Sequence, residues 1–210
     1  MGTFVRIGSN RMSYAIIGFG AVGQALARAF ARTGVAVTVA SRRPPEALAP
    51  QARAIGPTIA PRPLRDALAA ETIILAIPFA AYPEIAKAGG NWQGRIVIDA
   101  TNAFGVPSEE LGGRPSSVAI AQALPGARLV KGFNHLPAGV LASDPAGHGG
   151  RRVVFLSGDD DDATARVAAL AERLGFAPVG LGRLEEGGLL VQARGHTWAP
   201  LIFQDLVKFT

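Results

Sequence analysis

The stretch Tyr14-Ala15-Ile16-Ile17-Gly18-Phe19-Gly20-Ala21-Val22-Gly23-Gln24-Ala25-Leu26-Ala27 decides the fold. Its first four residues are a strand-length apolar run that stops at glycine. From residue 21 to 33 the apolar spacing becomes helical, with Val22, Leu26, Ala29 and Phe30 on one face. Strand, glycine turn and helix in that order form the phosphate-binding turn of a dinucleotide site. Gly18 lets the strand turn sharply, Gly20 lets a pyrophosphate approach the backbone, and Gly23 lets the helix pack closely on the strand. The helix then presents unpaired N–H groups and the positive end of its dipole to the phosphates. Gly18, Phe19, Gly20, Ala21, Val22 and Gly23 are therefore expected to hold a dinucleotide. Glycines at this spacing are common on their own; the flanking strand and helix make this set specific.

Working outward, strand-like runs continue at Val35–Ala40, Thr72–Ile77, Arg95–Ala100, Ala127–Lys131 and Arg152–Ser157, with a last short one at Phe176–Val179. Helical segments are expected near 61–70, 80–88 and 160–174. Most of these strands are apolar on nearly every residue, as in a parallel sheet covered on both faces. The fold class that follows is α/β: a Rossmann-type, doubly wound, mostly parallel sheet with a C-terminal α/β extension. Residues 1–12 are read as a disordered leader or the product of an upstream start, 13–131 as the nucleotide-binding core, and 132–210 as an extension packed on the core at the acceptor side. The acids Asp159 to Asp162 fall where a helix begins and are expected to cap it and complement its dipole, with no metal role.

The strand after the first helix ends at Ala40-Ser41-Arg42-Arg43-Pro44. Ser41 lies 18 residues after Gly23, close to where an acid would hold the ribose 2′-hydroxyl of NAD. No acid is there. A carboxylate would repel a 2′-phosphate, whereas a serine followed by two arginines can bond to it. The expected cofactor is thus NADP(H), held by Ser41, Arg42 and Arg43.

The bulk properties bound the remaining possibilities. Hydrophobic residues make up 49% of the 210, ample for a core. No cysteine is present, which excludes disulfides and thiolate ligands and fits a cytoplasmic setting. No apolar run reaches the roughly 18 residues that would span a bilayer. The net charge of +5 is scattered and forms no basic stripe, so neither membrane nor nucleic acid is expected as a partner. His135, His148 and His196 do not show metal-ligand spacing.

Ligands of open α/β sheets lie beyond the carboxyl ends of the strands. The residues there are Pro78-Phe79, Thr101-Asn102 and Gly132-Phe133-Asn134-His135. Pro78 either holds the chain extended past the cofactor or merely ends a strand. Asn102 and Asn134 either bond to cofactor or acceptor, or shape turns. His135 either donates a proton or is an incidental hydrogen-bonding histidine; Asn134 and His135 are the candidate catalytic residues. No nucleophile elbow and no Tyr-x-x-x-Lys pair is present. Hydride transfer to a second bound cofactor fits this set, because the cofactors carry the electronics.

The segments I-I-G-F-G-A-V-G-Q-A-L-A, A-S-R-R-P, I-L-A-I-P, V-I-D-A-T-N, V-K-G-F-N and L-G-x-L-x-x-G together resemble the NADP oxidoreductases that reduce the deazaflavin coenzyme F-420. The Rossmann domain of the STEAP metalloreductases is similar in the same segments. The V-I-D-A-T-N and V-K-G-F-N pair is the more specific part. The resemblance spans roughly residues 13 to 190 and implies a two-cofactor enzyme, commonly a homodimer. It also implies that the turn residues with Ser41, Arg42 and Arg43 hold NADP. Pro78, Ala100 and Asn102 would line the nicotinamide half, with Ile77 as a further cofactor-binding residue, and Asn134, His135 and Leu136 would face a small-molecule hydride acceptor. That acceptor is F-420 or another flavin in this reading, with a quinone, a ferric chelate or a small carbonyl or imine compound as alternatives. A dinucleotide-binding sensor without turnover is the competing class.

Overall fold

A computed structural model describes residues 13–147 and 149–192. The expectations for the leader, for His148, and for His196 and the tail from 195 lie outside the described residues.

The first strand, β1 (Tyr14–Ile17), alternates its side chains between two cores. Tyr14 and Ile16 join one apolar cluster, Ala15 and Ile17 the other. This two-sided burial is why the strand is apolar throughout. Helix α1 (Ala21–Arg32) buries Leu26, Ala29 and Phe30 against the first cluster. There follow β2 (Val37–Ala40), α2 (Pro45–Ile55), β3 (Ile59–Pro61), α3 (Leu64–Ala67) and β4 (Thr72–Leu75). A short 3-10 turn then leads into α4 (Tyr82–Gly89), β5 (Ile96–Asp99), α5 (Ser116–Ala123) and β6 (Arg128–Gly132).

After β6 the chain forms α6 (Ala138–Ala142) and a two-stranded ribbon, β7 (Ala146–Gly147) with β8 (Gly150–Arg151). It returns as β9 (Val153–Gly158), α7 (Asp161–Arg173), β10 (Ala177–Gly180) and α8 (Leu184–Leu190). The main sheet has eight strands in the order β10-β9-β6-β5-β4-β1-β2-β3. Every neighbouring pair is parallel except β6 with β9, so the sheet is mostly parallel and Rossmann-like. The reversal outward from β1, to β2 on one side and β4 on the other, creates the crevice where such sheets bind ligands.

The acids after β9 take the capping role. Asp160 is the N-cap of α7 and accepts the Ala163 N–H at 2.8 Å. Arg128 also donates to both its oxygens, and holds the Asp160 carboxyl down at about 2.

Candidate active site

The site is built from the glycine turn upward. Gly18 has φ +100, a conformation that side chains strain to adopt, and a Cβ there would collide with the Ala76 carbonyl. Its N–H donates to the Ala40 carbonyl at 2.8 Å, which ties the turn to the end of β2. A Cβ on Gly23 would strike the Gly18 carbonyl, so the first turn of α1 sits directly on the strand. Gly20 is the opposite case: a Cβ there would meet nothing within 4 Å. It fronts open space, as a backbone waiting for a ligand would. Gly20 is also the N-cap of α1, whose first turn has no side-chain cap and no acid. The helix N–H groups and dipole therefore face that space uncompensated.

A cleft of about 380 Å³ opens there. Gly18, Phe19 and Gly20 line one side and Ser41, Arg42 and Arg43 the end beside β2. Ile77 and Pro78 line the side beside β4. Sequence reasoning missed six further lining residues: Ile17, Leu64, Ala76, Ala81, Glu84 and Ile85. The signal that finds Leu64 is topological. It follows β3, which pairs with β2, and β3 is too short to read from sequence. Ser41 Oγ accepts the Arg43 backbone N–H at 3.0 Å, shaping the turn that carries both arginines. Among the described residues neither Arg42 nor Arg43 enters an ion pair. Their charge is uncompensated and exposed at the mouth of the cleft.

The other expected residues lie apart from this cleft lining. Ala21 is exposed and Val22 half-buried on the first turn of α1, with Gly23 buried beneath. Ala100, Asn102, Asn134, His135 and Leu136 sit beyond the ends of β5 and β6, further along the same strand-end edge. There the two asparagines meet. Asn102 Nδ2 donates to the Asn134 carbonyl at 2.8 Å, and Asn134 Nδ2 donates to Asn102 Oδ1 at 3.1 Å. Asn134 Nδ2 also donates to the Val191 carbonyl at 2.9 Å, just past α8. Phe133, between β6 and Asn134, has φ 61. A buried aromatic residue in that region carries strain, which concentrates at functional sites.

His135 is 5% exposed and packs its ring 5.0 Å from Phe155. Burial among apolar groups pushes it down to about 4, with the nearby Val153 backbone only partly opposing. It is neutral at pH 7. Neither ring nitrogen reaches hydrogen-bonding geometry with a described residue.

Beneath the asparagine pair lies a buried ion pair that sequence reasoning assigned no role. Asp99 and Lys131 are register partners on β5 and β6. Lys131 Nζ donates to Asp99 Oδ2 at 3.0 Å and to the Thr101 carbonyl at 2.5 Å. Asp99 Oδ1 accepts the Thr101 N–H at 2.9 Å. The signal lay in the V-I-D-A-T-N and V-K-G-F-N segments, each of which contributes one charge and one asparagine to these contacts.

Residues 13–103 match the family described as NADP oxidoreductase, coenzyme F420-dependent. A crystal structure of a hypothetical protein of Sinorhizobium meliloti is 41% identical, with a TM-score of 0.87, over 92% of this chain and 96% of that one. A crystal structure from Arthrobacter sp. FB24, described as an F420-dependent NADP reductase, is 29% identical with a TM-score of 0.67, over 82% of this chain and 86% of that one. Metalloreductase STEAP3 of Rattus norvegicus is 26% identical over 186 residues, 87% of this chain and 36% of that protein. The chain thus spans about a third of the metalloreductase's length. Fold, glycine turn and these likenesses lead to one assignment: the chain is an NADP-dependent oxidoreductase whose residues 13–103 are similar to the coenzyme F420-dependent family.

Proposed function

We propose that this chain binds NADP(H) in the glycine-turn cleft and serves hydride transfer between it and a flavin-like small molecule such as coenzyme F-420. The observation that carries the reading is the cleft itself. An open glycine backbone and an uncapped helix N-terminus stand on one side, and Ser41 with two arginines that enter no ion pair among the described residues at the end beside β2. Gly18, Phe19, Gly20, Ala21, Val22 and Gly23 would cradle the pyrophosphate. Ser41, Arg42 and Arg43 would take the 2′-phosphate, where the carboxylate of an NAD site would repel it. Leu64, Ala81 and Ile85 offer apolar surface to a purine face, and the Glu84 carboxylate an acceptor for its amino group. Ile77, Pro78, Ala100 and Asn102 would line the nicotinamide half.

When bound, the reduced nicotinamide supplies a hydride. The chain's share of the work is alignment. In this reading Asn134, His135 and Leu136 belong to the acceptor side, with the segment after residue 131. His135 acts there as a neutral, packed ring and not as an acid, because its charged form is disfavoured until the pH falls to about 4. An acceptor that takes up hydride without a proton from His135 suits that arrangement, and flavin-like rings are of this kind.

Affinities for NADPH and NADH, measured for the unmutated chain and for Arg42→Ala and Arg43→Ala, test the cofactor. A charge-assisted hydrogen bond is worth about 1.5–3 kcal/mol. At these exposed positions each substitution should weaken NADPH binding about tenfold, and NADH binding little. Equal affinity of the unmutated chain for both nucleotides would sink the reading. NADPH oxidation against coenzyme F-420, a flavin, a quinone, a ferric chelate and small carbonyl and imine compounds tests the acceptor. Tight NADPH binding without turnover on any of them would identify a nucleotide-binding sensor instead.

A further inference from the structure

We infer that Asp99 and Lys131 are positioning residues for the nicotinamide half of the cofactor, acting through the Thr101–Asn102 turn; this rests on the NADP(H) reading above. The ion pair does more than neutralise itself. Its lysine holds the Thr101 carbonyl and its aspartate holds the Thr101 N–H. Both hydrogen-bonding groups of one residue's backbone are thus fixed by opposite charges. The next residue, Asn102, is bonded both ways to Asn134. Asn134 is bonded in turn to Val191. The result is one connected set of hydrogen bonds from the buried ends of β5 and β6 to the loops that follow them.

Location gives this set its meaning. β5 is two strands from β1 in the sheet order. At ~4.8 Å per strand the Thr101–Asn102 turn stands about 10 Å along the edge from the glycine turn. A dinucleotide whose pyrophosphate rests on Gly20 and whose adenosine end lies toward Arg42 extends its other half in this direction. The buried charges themselves argue for a geometric role. A buried ion pair is seldom better for stability than apolar residues of the same volume. Every other β5 and β6 side chain on that face, such as Val97 and Leu129, is apolar. What the pair provides and apolar residues do not is a fixed orientation for the Thr101 peptide groups. It also explains why V-I-D-A-T-N and V-K-G-F-N occur together: each supplies half of both bonded pairs.

The test compares NADPH with 2′,5′-ADP, which has the adenosine and 2′-phosphate but no nicotinamide. The variant is the double substitution Asp99→Asn with Lys131→Met, which removes both charges together and leaves no orphaned ion. Thr101 then loses its carbonyl donor while its N–H keeps an acceptor. The expected result is unchanged 2′,5′-ADP affinity within about twofold, and NADPH affinity weakened roughly tenfold, the scale of one lost positioning interaction. The fluorescence of bound NADPH should change in the same variant. An unchanged ratio of the two affinities, or an equal loss of both, overturns the positioning role while leaving the cofactor reading intact. Failure of the unmutated chain to bind either probe overturns both. A second measurement needs no variant. In the unmutated protein the side-chain amide resonances of Asn102 and Asn134 should shift on adding NADPH and stay in place on adding 2′,5′-ADP. Identical responses to the two probes overturn the inference.

Discussion

Replacing Lys131 with methionine isolates the energetics of the buried pair. Lys131 is 1% exposed and Asp99 fully buried, so water cannot substitute for the missing ammonium. Breaking a buried ion pair from one side costs about 3–5 kcal/mol, because the remaining charge is left uncompensated. In Lys131→Met the Asp99 carboxylate keeps one bond, from the Thr101 N–H, and the Thr101 carbonyl loses its lysine donor. We take about 4 kcal/mol as the total, since the two losses overlap. For a domain of this size each kcal/mol lowers Tm by about 2–4 °C, so Tm should fall by roughly 8–16 °C. Adding Asp99→Asn removes the orphaned charge. What remains is the unpaired carbonyl, at about 1–3 kcal/mol. The double variant should therefore melt higher than Lys131→Met although it carries one more substitution. Scanning calorimetry of the parent, the single and the double variant decides the matter. A double variant that melts lower than the single, or a single variant within about 1 kcal/mol of the parent, refutes the picture of a charge pair sealed from water.

Two other perturbations separate fold from function. Gly20→Ala meets no atom within 4 Å, so its Tm should stay within a few degrees of the parent while NADPH affinity drops about tenfold; calorimetry and a binding titration together check this, and unaltered affinity would remove Gly20 from the site. Gly18→Ala should lose both, because it forces a side chain into φ +100 against the Ala76 carbonyl. His135 gives a pH signature. Its folded value near 4 lies below the ordinary 6.5, so the unfolded chain binds the proton first and stability falls as the pH drops from about 6.5 to about 4. At ~1.4 kcal/mol for each pH unit the loss approaches 3 kcal/mol, as an order of magnitude. His135→Phe should flatten denaturant-measured stability across that window, and an unchanged slope would show that another group is responsible. Asp160 acts below the window: its capping and Arg128 contacts favour the fold above pH 3.8 and are lost as the pH falls toward 2.

The strands were legible because two-sided burial leaves a plain mark. Ile16 and Ile17 point into different cores, so neither position tolerates a polar residue. The elements that escaped reading lack such a mark. β3 is three residues long and ends in proline, at a sheet edge where the missing N–H costs nothing. α2 begins at Pro45 and contains Pro50, so its sequence looks like a turn-rich loop. Pro45 stands in the first turn, where helices accept proline, but Pro50 lies inside and removes a donor. The antiparallel arrival of β9 beside β6 was equally hidden. Its direction follows from the route through α6 and the β7–β8 ribbon, which no strand-by-strand pattern contains.

The site divides along the same line. The glycine turn and the Ser41-Arg42-Arg43 end of β2 are local: the chemistry of each is written in consecutive residues, and Gly18 meets Ala40 because β1 and β2 are adjacent. The second half is made of contacts between residues 32 apart in sequence, Asp99 with Lys131 and Asn102 with Asn134. Sequence showed that these residues stand at strand ends but gave no means of pairing them. Once paired, they change what the individual residues mean. Asn134 spends both its amide hydrogens on the protein, and His135 is buried beside Phe155. The edge beyond β5 and β6 is thus held rigid by buried bonds, with no charged acid or base among the residues named there. A rigid, uncharged surface suits the proposed alignment of two ring systems, and in that reading it ties the second half of the motif set to the same task as the glycine turn.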